Sequence, residues 1–332
     1  LFMPRHTVAV TDHLFPSMDD EARMFREMDT ELAIGQCKGE DEVIALCRNA
    51  DAVLNTYARM TPRVIESLER CKVIVRFGIG YDNVDVEAAT RCGVMVANTT
   101  EYCIDEVADQ AMAMLLACAR GLFPAARIAR DGTWDLAKMP VLRRLRGQTL
   151  GLVGIGQIGK AVAARAHGFG LKVVASDPYV DEAAARELGA KLVDLDTLLG
   201  ASDYVSVHVP LMPATEGMMN AAVFAKMKPT AFLINVARGR IVNQAELVRA
   251  VEQGNVAGAG LDVLEQEPCA PGDAIATLDN VILTPHSAWY SEEARADMRR
   301  RAVGQVVSVL NGELPYSLIN REVVHSTGGN SI

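Results

Sequence analysis

The chain has 332 residues, 50% of them hydrophobic and 23% charged, which is too long for one ordinary core, so two domains are expected. A formal net charge of −9 argues against a nucleic-acid partner, because gripping a phosphodiester backbone needs a basic face. The seven cysteines (Cys37, Cys47, Cys71, Cys92, Cys103, Cys118 and Cys269) form no Cys-x-x-Cys pair, and none stands with a histidine at zinc-ligand spacing. Such a scattered, odd set reads as reduced thiols of a cytoplasmic protein with no structural metal.

The first residues carry charge and no long apolar run, so no secretory leader is expected. His6 to Val10 is strand-like and Asp19 to Met28 helix-like. A strand follows at Asp51 to Leu54, a helix at Thr61 to Arg70 and a strand at Lys72 to Phe77. Asp85 to Arg91 reads as a helix and Val94 to Val96 as a strand. Such β/α alternation with short links predicts a parallel sheet covered by helices. Glu101 to Leu122 reads as one long helix that opens on carboxylates and ends near Gly121 and Pro124. Its most apolar part, Met112 to Cys118, is too short to span a bilayer, so no membrane association is expected.

After a loop with Trp134, Pro140 and the basic run Arg143 to Arg146, a second β/α series begins at Thr149. Its strands are Leu150–Val153, Lys172–Ala175, Tyr204–Val209, Ala231–Asn235, Gly258–Val263 and Val281–Leu283. The long helix Ser291 to Leu310 comes after that sheet is complete, so it is expected to return to the first domain. The expected architecture is α/β with two doubly wound parallel-sheet domains and a cleft between them. A discontinuous flavodoxin-like domain for substrate takes residues 1–101 and 289–332, and a Rossmann domain takes 102–288.

Within Gly151 to Gly159, the glycines Gly154, Gly156 and Gly159 stand as Gly-x-Gly-x-x-Gly. Alone the pattern is weak, but here it follows a strand and opens a helix expected at Lys160 to Phe169. Gly154 suits a tight turn, Gly156 lets a pyrophosphate approach the backbone, and Gly159 lets helix and strand pack closely. The helix N-terminus offers N–H groups and partial positive charge to the anion. The next strand ends at Asp177, placed to accept hydrogen bonds from the adenosine ribose hydroxyls and to repel a 2′-phosphate. With Pro178 and Tyr179 next and no arginine nearby, the motif reads as a site for NAD. The competing reading is a plain turn with Asp177 capping a helix.

Arg238, Glu267 and His286 follow successive strands of this series, where ligands of open parallel sheets bind. Reduction of a 2-keto acid needs these three groups. A guanidinium holds a carboxylate through two charge-assisted hydrogen bonds. An imidazolium donates a proton to the carbonyl oxygen as hydride arrives. A neighbouring carboxylate orients the ring and favours its charged form. Taken singly, each residue also reads as a cap, a loop or a turn; their joint placement carries the inference. His6, His13, His167 and His325 are expected to be structural or solvated, and His208 to act through its backbone.

The sequence resembles the D-isomer-specific 2-hydroxyacid dehydrogenase family over nearly its whole length. The likeness rests on Gly78-Ile79-Gly80-Tyr81-Asp82-Asn83-Val84-Asp85, Gly151 to Gly159, His208-Val209-Pro210-Leu211, Asn235-Val236-Ala237-Arg238-Gly239, Gly260-Leu261-Asp262-Val263 with Glu267-Pro268, and Thr284-Pro285-His286. By that resemblance Arg238 binds the substrate carboxylate and carbonyl, His286 is the acid/base and Glu267 its partner. Gly78, Ile79 and Gly80 would offer backbone N–H groups to the substrate. Cofactor contacts would come from Gln157, Ile158, His208, Val209, Pro210, Thr215, Val236, Ala237, Arg238 and His286, with Asp262 at the carboxamide.

Val75-Arg76-Phe77-Gly78 and His286-Ser287-Ala288-Trp289-Tyr290-Ser291 look most like the C-terminal-binding-protein branch, which implies substrate contacts for Arg76 and Trp289. Met60 and Trp289 are then expected to edge a moderately apolar pocket. Asn55 and Tyr57 stand where phosphoglycerate enzymes carry basic residues, which weakens a phosphorylated substrate. Asn243 stands where aspartate is frequent and is expected to alter only a local cap. The resemblance also implies a homodimer. Two alternatives remain at this stage, an NAD-sensing scaffold of the same fold and a phosphite-type dehydrogenase.

Overall fold

The computed structural model describes residues 5–326. It separates into two compact units, one running through Tyr102 and resuming at Ser291, the other spanning Cys103–Tyr290. These breaks fall one and two residues beyond the expected boundaries at 101 and 288, so Trp289 belongs to the second unit.

In the first unit, β1 (His6–Val10), β2 (Thr30–Ile34), β3 (Ala52–Asn55), β4 (Val73–Arg76) and β5 (Met95–Asn98) form a parallel sheet in the order β2-β1-β3-β4-β5. All four residues of β3 are buried, as expected of a central parallel strand covered on both faces. The edge strand β2 buries only Thr30 and exposes Glu31 and Ile34, so it lacks the apolar run that marks its neighbours. Neither it nor the following helix Glu40–Cys47, which opens on three acids, stood out from the sequence. The helix expected from Thr61 to Arg70 is only Pro62–Glu66. Thr61 caps its start, and Ser67 turns its hydroxyl back to the Val64 carbonyl at 2.6 Å at its end. Glu292–Leu310, capped by the Ser291 hydroxyl, packs against β3 and β4. Its Arg299 meets the buried Glu21 with two donors.

The second unit has seven parallel strands: β6 (Thr149–Val153), β7 (Lys172–Ser176), β8 (Ala190–Leu192), β9 (Tyr204–Val207), β10 (Phe232–Asn235), β11 (Gly258–Leu261) and β12 (Val281–Leu283). Their order is β12-β11-β10-β9-β6-β7-β8, so the direction of winding reverses between β6 and β9. The short edge strand β8 was not expected. The long helix expected at 101–122 is Ile104–Arg120. Gly121 stops it in the left-handed region at φ 54°, and the chain restarts as Leu122–Arg130 after a 60° bend. Pro124 sits in the first turn of that second helix, where a missing N–H breaks no intrahelical bond. Among the described residues no single helix is long and apolar enough to cross a membrane.

Candidate active site

The turn after β6 is shaped by its glycines. Gly154 has φ +90°, and a Cβ there would lie 2.9 Å from Val209 Cγ1 and 3.0 Å from the His208 carbonyl carbon. A Cβ on Gly159 would lie 2.6 Å from the Gly154 oxygen. Both positions therefore exclude side chains for the protein's own packing. Gly156 differs: it is exposed, its φ of −67° is ordinary, and a Cβ would meet nothing within 4 Å. The protein does not need glycine there, but an incoming pyrophosphate would.

The helix that follows begins at Gln157, three residues earlier than expected. The start of the helix, Gln157, Ile158 and Gly159, therefore directly adjoins the glycine turn, where helix N–H groups favour an anion. Asp177, directly after β7, accepts the Ile155 N–H at 2.9 Å on one oxygen and the Tyr179 N–H at 2.9 Å on the other. It does not cap the next helix; Asp181 does. Asp177 thus fixes the glycine turn while keeping carboxylate lone pairs for hydroxyl donors. An open position over Gly156, a helix N-terminus and an acid at the end of the next strand fit a dinucleotide.

On the other side of the winding reversal, His208 follows β9. Its N–H bonds to the Val153 carbonyl at 2.8 Å and its Nε2 lies 2.9 Å from the Ser206 hydroxyl. Burial pushes its pKa down to about 4, so the ring is neutral at ordinary pH. Val209 packs over Gly154. Beyond Pro210, the Thr215 hydroxyl accepts the Met212 N–H at 3.0 Å and donates to the Pro210 carbonyl at 2.6 Å, which pins the loop.

The catalytic candidates lie at the ends of β10, β11 and β12. Asn235 ends β10; its amide donates to the Arg238 carbonyl at 2.9 Å and its oxygen accepts the Ala237 N–H at 3.0 Å. This folds Val236-Ala237-Arg238 into a fixed turn. Gly239 comes next, and a Cβ there would lie 1.9 Å from the Leu264 carbonyl. Only glycine lets the turn bearing Arg238 press against the backbone leading to Glu267.

Glu267 accepts the Leu264 N–H at 3.0 Å on Oε1 and meets His286 Nδ1 at 2.7 Å on Oε2. Partial burial pushes its carboxyl up, but the His286 hydrogen bond and charge, the Leu264 N–H and the Arg238 charge outweigh that and hold it below its usual value. His286 sits at φ +53°, in the left-handed region that residues other than glycine seldom adopt. Asp262, 2% exposed, holds that geometry. Its carbonyl accepts the His286 N–H at 2.8 Å, Oδ1 accepts the Ser287 N–H at 2.9 Å and the Thr284 hydroxyl at 2.5 Å, and Oδ2 accepts the Ala288 N–H at 2.9 Å. Gln110 Nε2 donates to the Thr284 hydroxyl at 3.2 Å. Sequence reading named Asp262 but missed Thr284 and Gln110, although Thr284 stands in the Thr-Pro-His signature.

Residues 112–288, more than half of the chain, match the family model of the D-isomer specific 2-hydroxyacid dehydrogenase NAD-binding domain. The chain belongs to this family. It is 40% identical over 286 residues to a glyoxylate reductase of Korarchaeum cryptofilum, covering 85% of this chain and 86% of that one. It is 37% identical over 317 residues to a D-3-phosphoglycerate dehydrogenase of Methanocaldococcus jannaschii, covering 94% of this chain and 59% of the relative. The structure of D-lactate dehydrogenase from Aquifex aeolicus, complexed with NAD and lactic acid, superposes with TM-score 0.83 at 27% identity, covering 94% of this chain and 98% of that one. This dehydrogenase is accordingly an NAD-dependent oxidoreductase of the 2-hydroxyacid class, and its cofactor is NAD.

In the first unit of the dehydrogenase, Arg76 ends β4 and its guanidinium lies across Gly78, whose Cβ would fall 1.4 Å from Nη1. Gly78 has φ +136°; Gly80 and Ile79 follow it in a half-buried loop anchored by Asn98, whose amide donates to the Ile79 carbonyl at 2.6 Å. Met60 is fully buried in the core of this unit, among Val64, Ile74 and Val84. It does not edge a pocket, contrary to expectation. Arg59 before it is exposed and Thr61 after it half-buried, and β-bridge pairing to Val84 turns Met60 itself inward. Trp289 is half-buried and meets Tyr290 edge to face, with ring centroids 5.7 Å apart.

Proposed function

We propose that this dehydrogenase reduces a small, unphosphorylated 2-keto acid, with glyoxylate as the first candidate, to its 2-hydroxy acid, of D configuration wherever C2 becomes a stereocentre. His286 acts as the acid, Glu267 as its partner and Arg238 as the carboxylate anchor. The observation that carries this reading is the 2.7 Å pair between His286 Nδ1 and Glu267. It commits one ring nitrogen to the carboxylate and leaves Nε2 as the proton donor.

Bound NADH supplies the hydride. Arg238 holds the substrate carboxylate by paired N–H donors, and the backbone at Gly78, Ile79 and Gly80, with Arg76 and Trp289, completes substrate recognition. The Nε2 proton passes to the carbonyl oxygen as C2 gains hydride, and Glu267 stabilises the imidazolium until that moment. In the oxidative direction neutral Nε2 takes the hydroxyl proton back.

The relatives that act on glyoxylate support the choice of a small substrate. Asn55 supports an unphosphorylated one. It is fully buried, donating to Thr11 at 3.0 Å and the Ala58 carbonyl at 2.8 Å and accepting from Asn83 at 2.7 Å, so it presents no cation.

The test mixes the protein with NADH, and separately NADPH, and follows absorbance with glyoxylate, hydroxypyruvate, pyruvate, phenylpyruvate and phosphohydroxypyruvate. Rapid oxidation of NADH by glyoxylate or hydroxypyruvate is expected. Tight NADH binding with no oxidation across the panel would overturn the reading.

A further inference from the structure

The loop that bears His286 is held by a chain of hydrogen bonds that begins on another element. The helix Ile104–Arg120 packs against β10 and β11. Gly260 of β11 makes that approach close, because a Cβ there would lie 2.9 Å from Met114 Cβ. Gln110 and Met114 stand one turn apart and share a helix face. The helix that rests on Gly260 therefore also carries the Gln110 amide to the loop after β12, where Nε2 lies 3.2 Å from the Thr284 hydroxyl.

The direction of each hydrogen bond follows from what each group can give. Thr284 Oγ1 lies 2.5 Å from Asp262 Oδ1. That carboxylate already takes the Ser287 and Ala288 N–H groups, so it meets the hydroxyl as an acceptor, and the single hydroxyl hydrogen lies between them. A lone pair of Oγ1 is then what faces Gln110, and the amide must turn its NH2 toward Thr284. Gln110 thus sets the sense of the chain, amide to hydroxyl to carboxylate, and each bond polarises the next. Thr284 bears on His286 a second time through its backbone. The His286 N–H is shared between the Thr284 carbonyl at 3.0 Å and the Asp262 carbonyl at 2.8 Å.

We propose that Gln110 is a positioning residue for hydride transfer. His286 at φ +53° needs outside support to stay there. By holding the Thr284 hydroxyl toward Asp262, Gln110 keeps the turn 284–288, and with it the His286 ring, in the orientation that delivers the proton. This role rests on His286 being the acid, as proposed above. Gln110 is half-buried, and the buried face of its helix is made by residues such as Val107, Ala111 and Met114, so exchanging it leaves the packing in place.

Wild type, Gln110→Leu, Gln110→Glu, Thr284→Val and the double variant Gln110→Leu with Thr284→Val are to be compared in single-turnover stopped flow with NADH and glyoxylate. Gln110→Leu keeps the size and loses the donor. Hydride transfer slows by about five-fold, the scale of one neutral hydrogen bond, while NADH affinity and the thermal midpoint stay close to wild type. Gln110→Glu keeps the shape and reverses the polarity. Its carboxylate draws the Thr284 hydrogen away from Asp262, and transfer slows by about 30-fold or more, the scale of a hydrogen bond to a charged group. A merely structural role gives the opposite order, because glutamate resembles glutamine more closely than leucine does. Once Thr284→Val has removed the hydroxyl, Gln110→Leu costs nothing further.

Unchanged transfer in Gln110→Leu, a Gln110→Glu no slower than Gln110→Leu, or losses that simply add in the double variant each overturn the proposal. Should wild type oxidise no NADH with glyoxylate, the proposed reaction fails, and NMR of histidine-labelled protein decides the role of Gln110 by itself. The His286 amide resonance, assigned by its loss in His286→Asn, moves in Gln110→Leu and Thr284→Val alike if the chain holds the turn. A resonance unmoved in Gln110→Leu overturns the role.

Discussion

The two sheets each reverse their winding once, and each places a turn rich in N–H groups at that point. After β6 the turn is open: Gly156 is exposed and a side chain there would touch nothing. After β3 the turn is filled, because Asp12 takes three of its N–H groups. Topology alone therefore makes an anion site possible, and the chain decides whether a ligand or its own carboxylate occupies it. The open turn fits the dinucleotide's phosphates. The filled one gives rigidity to the unit proposed to hold substrate.

Changes at the open edge are expected to separate binding, chemistry and folding. His286→Asn should lower kcat by about 10³-fold, within the range of a positioned general acid, while NADH affinity stays within a few-fold. Stopped-flow turnover beside a cofactor titration measures both.

Gly156→Val should weaken NADH by roughly 30-fold or more by filling the phosphate's approach, with an unchanged thermal midpoint. Gly154→Ala should do the reverse of that division and lower the midpoint, since it is destabilised by about 1 kcal/mol or more from its positive φ and contact with Val209. Equal loss of stability in the two variants would break the distinction between packing glycine and ligand glycine.

Glu267→Gln should cost about ten-fold or more in kcat. Stopped-flow turnover of this variant beside wild type measures the loss. Glu267 also has a depressed carboxyl pKa in the fold, so its contribution to stability is present above the ordinary carboxylate range and lost as pH falls through the folded value.

The smallest effect concerns His208. Its pKa falls from 6.5 to about 4 on folding, so the unfolded chain gains a proton first as pH drops. Stability should decline between pH 6.5 and 4 by up to about 3 kcal/mol and then level off. Denaturant midpoints of His208→Gln across that window should fall less steeply than those of wild type.

Much of this was legible in the sequence, and the reason differs by region. The central strands announce themselves because parallel strands covered on both faces read as apolar runs. The edge strands β2 and β8 do not, because each buries only one residue and exposes a charged one, Glu31 and Lys191. The glycine turn and the positions of Arg238, Glu267 and His286 after β10, β11 and β12 are legible because the proposed chemistry asks for those residue types at strand ends. Their supports are not. Gln110 reaches Thr284 across 174 residues, and Asp12 reaches Thr56 across 44, so nothing local marks either one. Met60 misled for the opposite reason: an apolar residue beside a site looks like a pocket wall until the β-bridge to Val84 turns it into the core.

The central claim is that hydride passes between nicotinamide and C2 of a 2-keto acid. NADH deuterated at both C4 positions, turned over with glyoxylate, tests it most directly. The account predicts a 2-hydroxy acid carrying one deuterium at C2, seen by proton NMR and mass spectrometry. Product without that deuterium, or NADH bound and never oxidised, would contradict it.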